Sequence, residues 1–149
     1  MKEFLLSLIF GKMILLTPNP IDIYQDWVNI ELKKPVSAIT EGAMVNVELE
    51  SNRHFSDTVK AQENISKYLK GLYPDDSIEA VLTTKDNKII QLTNTGFYTS
   101  GYSESENIKV LIKLTGQPRI PTDMEFTSLK IRSMNRLEKV LVHWKNFSK

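Results

Sequence analysis

Two histidines, His54 and His143, and two turn serines, Ser100 and Ser103, are the raw material this chain offers for nucleophilic catalysis. That chemistry needs a serine presented on a sharp turn, with a histidine base in hydrogen-bond reach and an acid behind it. No Gly-x-Ser-x-Gly elbow occurs, so the expectation is turn serines and two unrelated histidines. Two carboxylate pairs come next, Asp75-Asp76 and Glu104/Glu106. Either pair has the residue types for acid–base work on a glycoside or ester, or for a hard cation. Asp75-Asp76 follows Tyr73-Pro74 and reads as turn chemistry, while Glu104 and Glu106 alternate with serine in a solvated loop. A carbohydrate- or ester-acting hydrolase is therefore the remote alternative. The expectation is no enzyme, no catalytic residue and no cofactor.

Metal chemistry is short of ligands. The chain has no cysteine and only two histidines, so zinc–thiolate sites, iron–sulfur clusters, disulfides and cysteine nucleophiles are all excluded.

Binding has better material. From Lys130 to the end stand six basic residues, Lys130, Arg132, Arg136, Lys139, Lys145 and Lys149, against one acid, Glu138. On a hairpin, Lys130 and Arg132 share one strand face, and Lys139 and Lys145 share another. Coincident faces would make a basic stripe suited to an acidic partner; lysines on exposed strands also guard against edge aggregation. Tyr98 and Tyr102 bracket Ser100-Gly101, a Tyr/Ser composition that suits protein recognition. The candidate binding residues are Tyr98, Tyr102, Lys130, Arg132, Lys139 and Lys145. A net charge of +1 over the whole chain makes no case for nucleic acid. Asn64-Ile65-Ser66 and Asn146-Phe147-Ser148 match a short acceptor pattern for N-glycosylation that arises readily by chance.

The elements that must position these residues follow from periodicity. Val28, Ile30 and Leu32 alternate with Asn29 and Glu31; Ala43, Val45, Val47 and Leu49 alternate with Met44, Asn46 and Glu48. Alternation of this kind marks strands with one wet face. Over residues 57–70 the period changes, with Val59, Ala61, Ile65, Tyr68 and Leu69 at helical spacing and Gly71 then Pro74 as stops. Residues 77–84 and 88–94 flank Lys85-Asp86-Asn87 as a hairpin, and Asn94-Thr95-Gly96 reads as a further turn. Residues 108–114 form the plainest strand. Residues 125–133 and 137–144 are predicted to pair as a last hairpin around Met134-Asn135-Arg136. His143 falls on the wetter face of its strand, opposite Val140, Val142 and Trp144.

Residues 1–16 form a hydrophobic N-terminal segment, closed by Thr17-Pro18-Asn19-Pro20. A basic residue before an apolar run resembles an export or anchor signal. Lys12 interrupts the run, which is shorter than the ~20 residues of a spanning helix. The other reading is a core helix ending at Gly11, then a strand from Lys12.

With 149 residues, 41% hydrophobic and 25% charged, the composition is that of one globular domain. The expected fold is mainly β: an antiparallel β-sandwich, Ig-like or jelly-roll-like, over 21–149, with one amphipathic helix near 57–70. An α+β domain with helices on one face of a single sheet is the runner-up. The expected function is a non-catalytic protein-interaction domain. Its partner is another protein, acidic if the basic stripe forms. Export or membrane tethering through residues 1–16 is slightly favoured over a cytoplasmic location. The alternative is a soluble inhibitor or immunity-type protein that neutralises one partner.

Overall fold

The computed structural model describes residues 12–51, 67–100, 108–116 and 119–146. Among these are nine strands: β1 (Lys12–Leu15), β2 (Ile21–Ile23), β3 (Val28–Ser37), β4 (Met44–Ser51), β5 (Ile78–Thr84), β6 (Ile89–Ser100), β7 (Ile108–Gly116), β8 (Glu125–Ser133) and β9 (Leu137–Asn146). Every pairing is antiparallel. The hydrogen-bonded order is β1-β9-β4-β7-β6-β5-β8-β3, with β2 also on β9. The molecule is mainly β, and its strands form one sheet curled into a half-barrel. Periodicity alone led us to expect two facing sheets; it reports one wet and one dry face per strand and says nothing of which strand bonds to which.

The curl is forced by one short connection. β8 and β9 do not pair, so the expected hairpin around Met134-Asn135-Arg136 is not formed: four strands lie between them on the sheet path. In a flat sheet, five strand spacings would hold β8 and β9 ~24 Å apart. The four Cα steps from Ser133 to Leu137 reach at most ~14 Å. The sheet must bend until the end of β8 meets the start of β9. Two backbone bonds lock that corner, Ser133 N–H to Tyr24 O (2.9 Å) and Met134 N–H to Ser77 O (2.9 Å).

Inside the curl lie alternate apolar residues of five of the long strands: Val45 and Val47, Ala80 and Leu82, Ile112 and Leu114, Leu129 and Ile131, Val142 and Trp144, all buried. Each such side chain contributes ~1.5–3 kcal/mol of transfer free energy. Leu69, from a helical stretch at 67–72, adds to this core. The remainder of the helix expected near 57–70 lies outside the described residues. The hairpin at Lys85-Asp86-Asn87 is as expected: β5 and β6 pair, Asn87 takes a positive φ of 67°, and the Thr84 hydroxyl donates to Asp86 (2.6 Å). Asn94-Thr95-Gly96 is not a turn. β6 runs through it with a register shift between Asn94 and Gly96, because a bulge uses the same residue types as a turn.

β1 starts at Lys12 and pairs with the last residues of β9. Leu16 N–H donates to Val142 O, and the Thr17 hydroxyl accepts from Val142 N–H. β2 then pairs further back along β9. Thr17-Pro18-Asn19-Pro20 is thus a bend between two short strands that share one neighbour.

Candidate functional site

On β8 the outward residues are Lys130 and Arg132. Val28 lies opposite Ile131, which sets Trp27 beside Arg132. The Arg132 guanidinium carbon is 4.3 Å from the Trp27 ring centroid and the Lys130 Nζ is 5.0 Å from it. Arg132 also meets Glu79 at 3.3 Å. Cation–ring contacts of this kind contribute ~0.5–1 kcal/mol each at exposed sites. Trp27 remains 36% exposed and Ile89, nearby, 55%. Trp27, Val81, Ile89, Gln91, Thr93 and Arg132 line part of a groove of about 750 Å³.

The second cluster surrounds Tyr98. Lys113 Nζ lies 4.4 Å and Lys145 Nζ 5.8 Å from its ring centroid. Lys113 stands on β7 opposite Gly96, where a Cβ would come within 3.2 Å of the Lys113 stem. That missing side chain lets the lysine lie across β6 to the tyrosine. On β4, Asn46 sits opposite both Lys113 and His143, so these three share the convex face.

His143 Nε2 is 3.7 Å from Glu48 Oε1, too long for a hydrogen bond. Burial is the largest influence on the ring and holds its pKa below the usual histidine value. Glu48 works against that shift and Lys109 with it. The neutral form is favoured, so the pair is not an ion pair at neutral pH. The expected wet position of His143 is corrected in degree: its side chain is on the outer face but only 12% exposed.

The candidate residues are therefore sorted into groups. Lys130 and Arg132 meet over Trp27, and Tyr98 meets Lys145. Tyr102 lies outside the described residues. Lys139 joins neither cluster. It takes a positive φ of 53° at the irregularity in the β2–β9 register, and its N–H donates to Asp22 Oδ1 at 3.1 Å. That bond, then Arg136, holds the Asp22 carboxyl below its ordinary pKa. No continuous basic stripe forms, because it required β8 and β9 to be neighbours. Trp27, Lys113 and Asn46 were not singled out from sequence: the register that brings them to the clusters is not written in spacing.

Of the catalytic candidates, few fall among the described residues. Asp76 takes a turn conformation, φ 66°, and accepts from the Thr93 hydroxyl. His54, Ser103, Glu104 and Glu106 lie outside the described residues. Among the described residues no group of three metal-ligating side chains occurs, and no helix is long and apolar enough to cross a membrane. Asn146 of the second glycosylation pattern is buried, with both ends of its amide bonded to Ile39 N–H and Ser37 O. Comparison of the chain with protein-family models, with curated proteins and with solved structures gives no match in any of the three.

Proposed function

We propose that this chain is a non-catalytic protein-interaction domain whose partner docks on the convex face at Trp27. The observation that supports this reading is the stacking of Lys130 and Arg132 on a part-exposed tryptophan beside an open groove. Tryptophan and arginine are the residues that most often dominate binding energy at protein interfaces. Holding both cations against a ring reduces the side-chain freedom that binding would otherwise have to remove. Among the described residues Lys130 has no carboxylate partner, which favours a protein that brings an acidic side chain next to an apolar one. The soluble, partner-neutralising version of this reading is the one we favour. What supports it is that Lys12–Leu15, the described part of the 1–16 segment, is held on β9 as β1.

The test is affinity capture from source cells with the wild-type chain and with Trp27→Ala/Arg132→Glu as paired baits. The expected result is a protein held by the wild type and reduced at least about tenfold on the variant, with weaker capture as salt rises. Equal recovery on both baits, with both folded by circular dichroism, would overturn the proposal.

A further inference from the structure

Three asparagines are buried among the described residues, and two of them have plain structural work. Asn94 accepts from Ile78 N–H and donates to Pro74 O and the Ser77 hydroxyl. Asn146 ties Ser37 and Ile39 to β9. Asn46 is different. It is 0% exposed, and neither Nδ2 nor Oδ1 has a hydrogen-bond partner. Leaving such a group unpaired costs the folded state the full desolvation of the amide, and a leucine of similar shape would avoid that cost. His143 Nε2, opposite Asn46 on β9, is also buried without a partner, and buried polar groups left unpaired on one face are completed by a bound water, ion or ligand.

The surroundings say what kind. Lys145 starts on β9 and Lys113 on β7, the two neighbours of β4, yet both bring Nζ to the ring of Tyr98 from β6. Strands are ~4.8 Å apart, so the ring must project across β7 toward β4 for Lys145 to come this close. Two ammonium groups thus gather at one ring, and Asn46 lies on the same face, opposite Lys113 in the ladder. Among the described residues Lys113 has no carboxylate partner. Glu48, the nearest acid on β4, is directed to His143.

The geometry points to a binding site for a small oxyanion, a carboxylate or phosphate group, held by Asn46 Nδ2 with Lys113 and Lys145 beside the Tyr98 ring. This site is separate from the Trp27 groove and does not depend on it.

The experiment is a titration of the full-length, ¹⁵N-labelled chain with inorganic phosphate and, separately, sodium acetate at constant ionic strength. The side-chain amide pair of Asn46 and the ring of Tyr98 are followed by NMR. The expected result is a saturable shift of both, with half-saturation raised at least about tenfold in Lys113→Gln. Asn46→Leu, which keeps shape and removes the unpaired group, is expected to fold at least as stably and to abolish the Tyr98 shift. Saturation by phosphate alone assigns the site to phosphoryl groups; saturation by acetate assigns it to carboxylates. A shift that never saturates, or is the same in Asn46→Leu, means an adventitious ion only and overturns the proposal, as does no shift with either anion.

Discussion

Trp144 on β9 and Phe126 on β8 meet ring to ring, with centroids 6.2 Å apart and planes at 54°. Tilted pairs at this distance use the favourable edge-to-face geometry. Four strands separate β9 from β8 along the hydrogen bonds, so the contact exists only because the sheet is curled. Both residues are fully buried. The Trp144 Nε1–H, like the Asn46 amide, has no hydrogen-bond partner among the described residues, and packing against Phe126 and the core holds the ring.

Trp144→Ala should therefore cost ~3–5 kcal/mol by cavity formation, read as a lower urea midpoint. Trp27→Ala, on the convex face, should cost only ~1–2 kcal/mol, chiefly the two lost cation–ring contacts. Comparable losses at both positions would mean that the curl does not concentrate the core at Trp144.

Asn94 offers a sharper local test. Its side chain satisfies the backbone at Ile78 and Pro74, the entry to β5. Asn94→Ala leaves a buried N–H and a carbonyl unpaired, and is expected to cost ~2–6 kcal/mol at ~1–3 kcal/mol per orphaned group. Hydrogen exchange should show the Ile78 amide losing protection beyond the global change. An unchanged Ile78 amide would count against the pinning role.

The strands were legible because alternation is local: residues 43–49 and 108–114 announce their dry faces directly. The pairing was not. That β8 turns its back on β9, and that β4 inserts between β9 and β7, depends on contacts between residues far apart in sequence. For the same reason half of each aromatic–cation cluster was readable. Lys130 and Arg132 shared a visible face, but Trp27 reaches them only through the β3–β8 register. Tyr98 and Lys145 were visible as residue types, and only the sheet order brings them together. The polar side of β4 misled in one respect: Asn46 lies at an expected wet position and is buried.

Glycines test the convex surface against the loop that follows β7. A Cβ at Gly116 would come 3.0 Å from the Arg119 carbonyl carbon, which is backbone and cannot step aside. Gly116→Ala is expected to destabilise by ~1–3 kcal/mol. At Gly96 the obstacle is the flexible stem of Lys113. Gly96→Ala should leave stability within ~0.5 kcal/mol while displacing Lys113 from Tyr98. Thermal melts of the two variants separate the cases, and a Gly96→Ala variant as damaged as Gly116→Ala would refute the assignment.

Lys139 stands mid-strand at φ 53°, a conformation that costs a lysine ~1 kcal/mol or more and a glycine almost nothing. Glycine in a strand is ordinarily harmful. Here Lys139→Gly should be neutral or stabilising, because the N–H that reaches Asp22 is kept. A clear fall in the urea midpoint would show that the lysine side chain does more than occupy the bulge.

His143 gives the pH dependence. Burial holds its pKa below the unfolded value, against the pull of Glu48. A base with a depressed folded pKa binds its proton more readily when unfolded. Its contribution favours the folded state above the unfolded pKa of ~6.5, and is lost as pH falls from there through the lowered folded value. Wild type and His143→Gln should therefore be compared by urea denaturation from pH 8 to pH 5. All other side chains are common to the two proteins, so the difference between the curves reports the imidazole and its interaction with Glu48. The wild type should lose more stability than the variant on acidification. Parallel curves would mean that the imidazole titrates alike folded and unfolded. A wild type that gains relative to the variant would mean that protonation closes the 3.7 Å separation from Glu48 into an ion pair strong enough to outweigh burial.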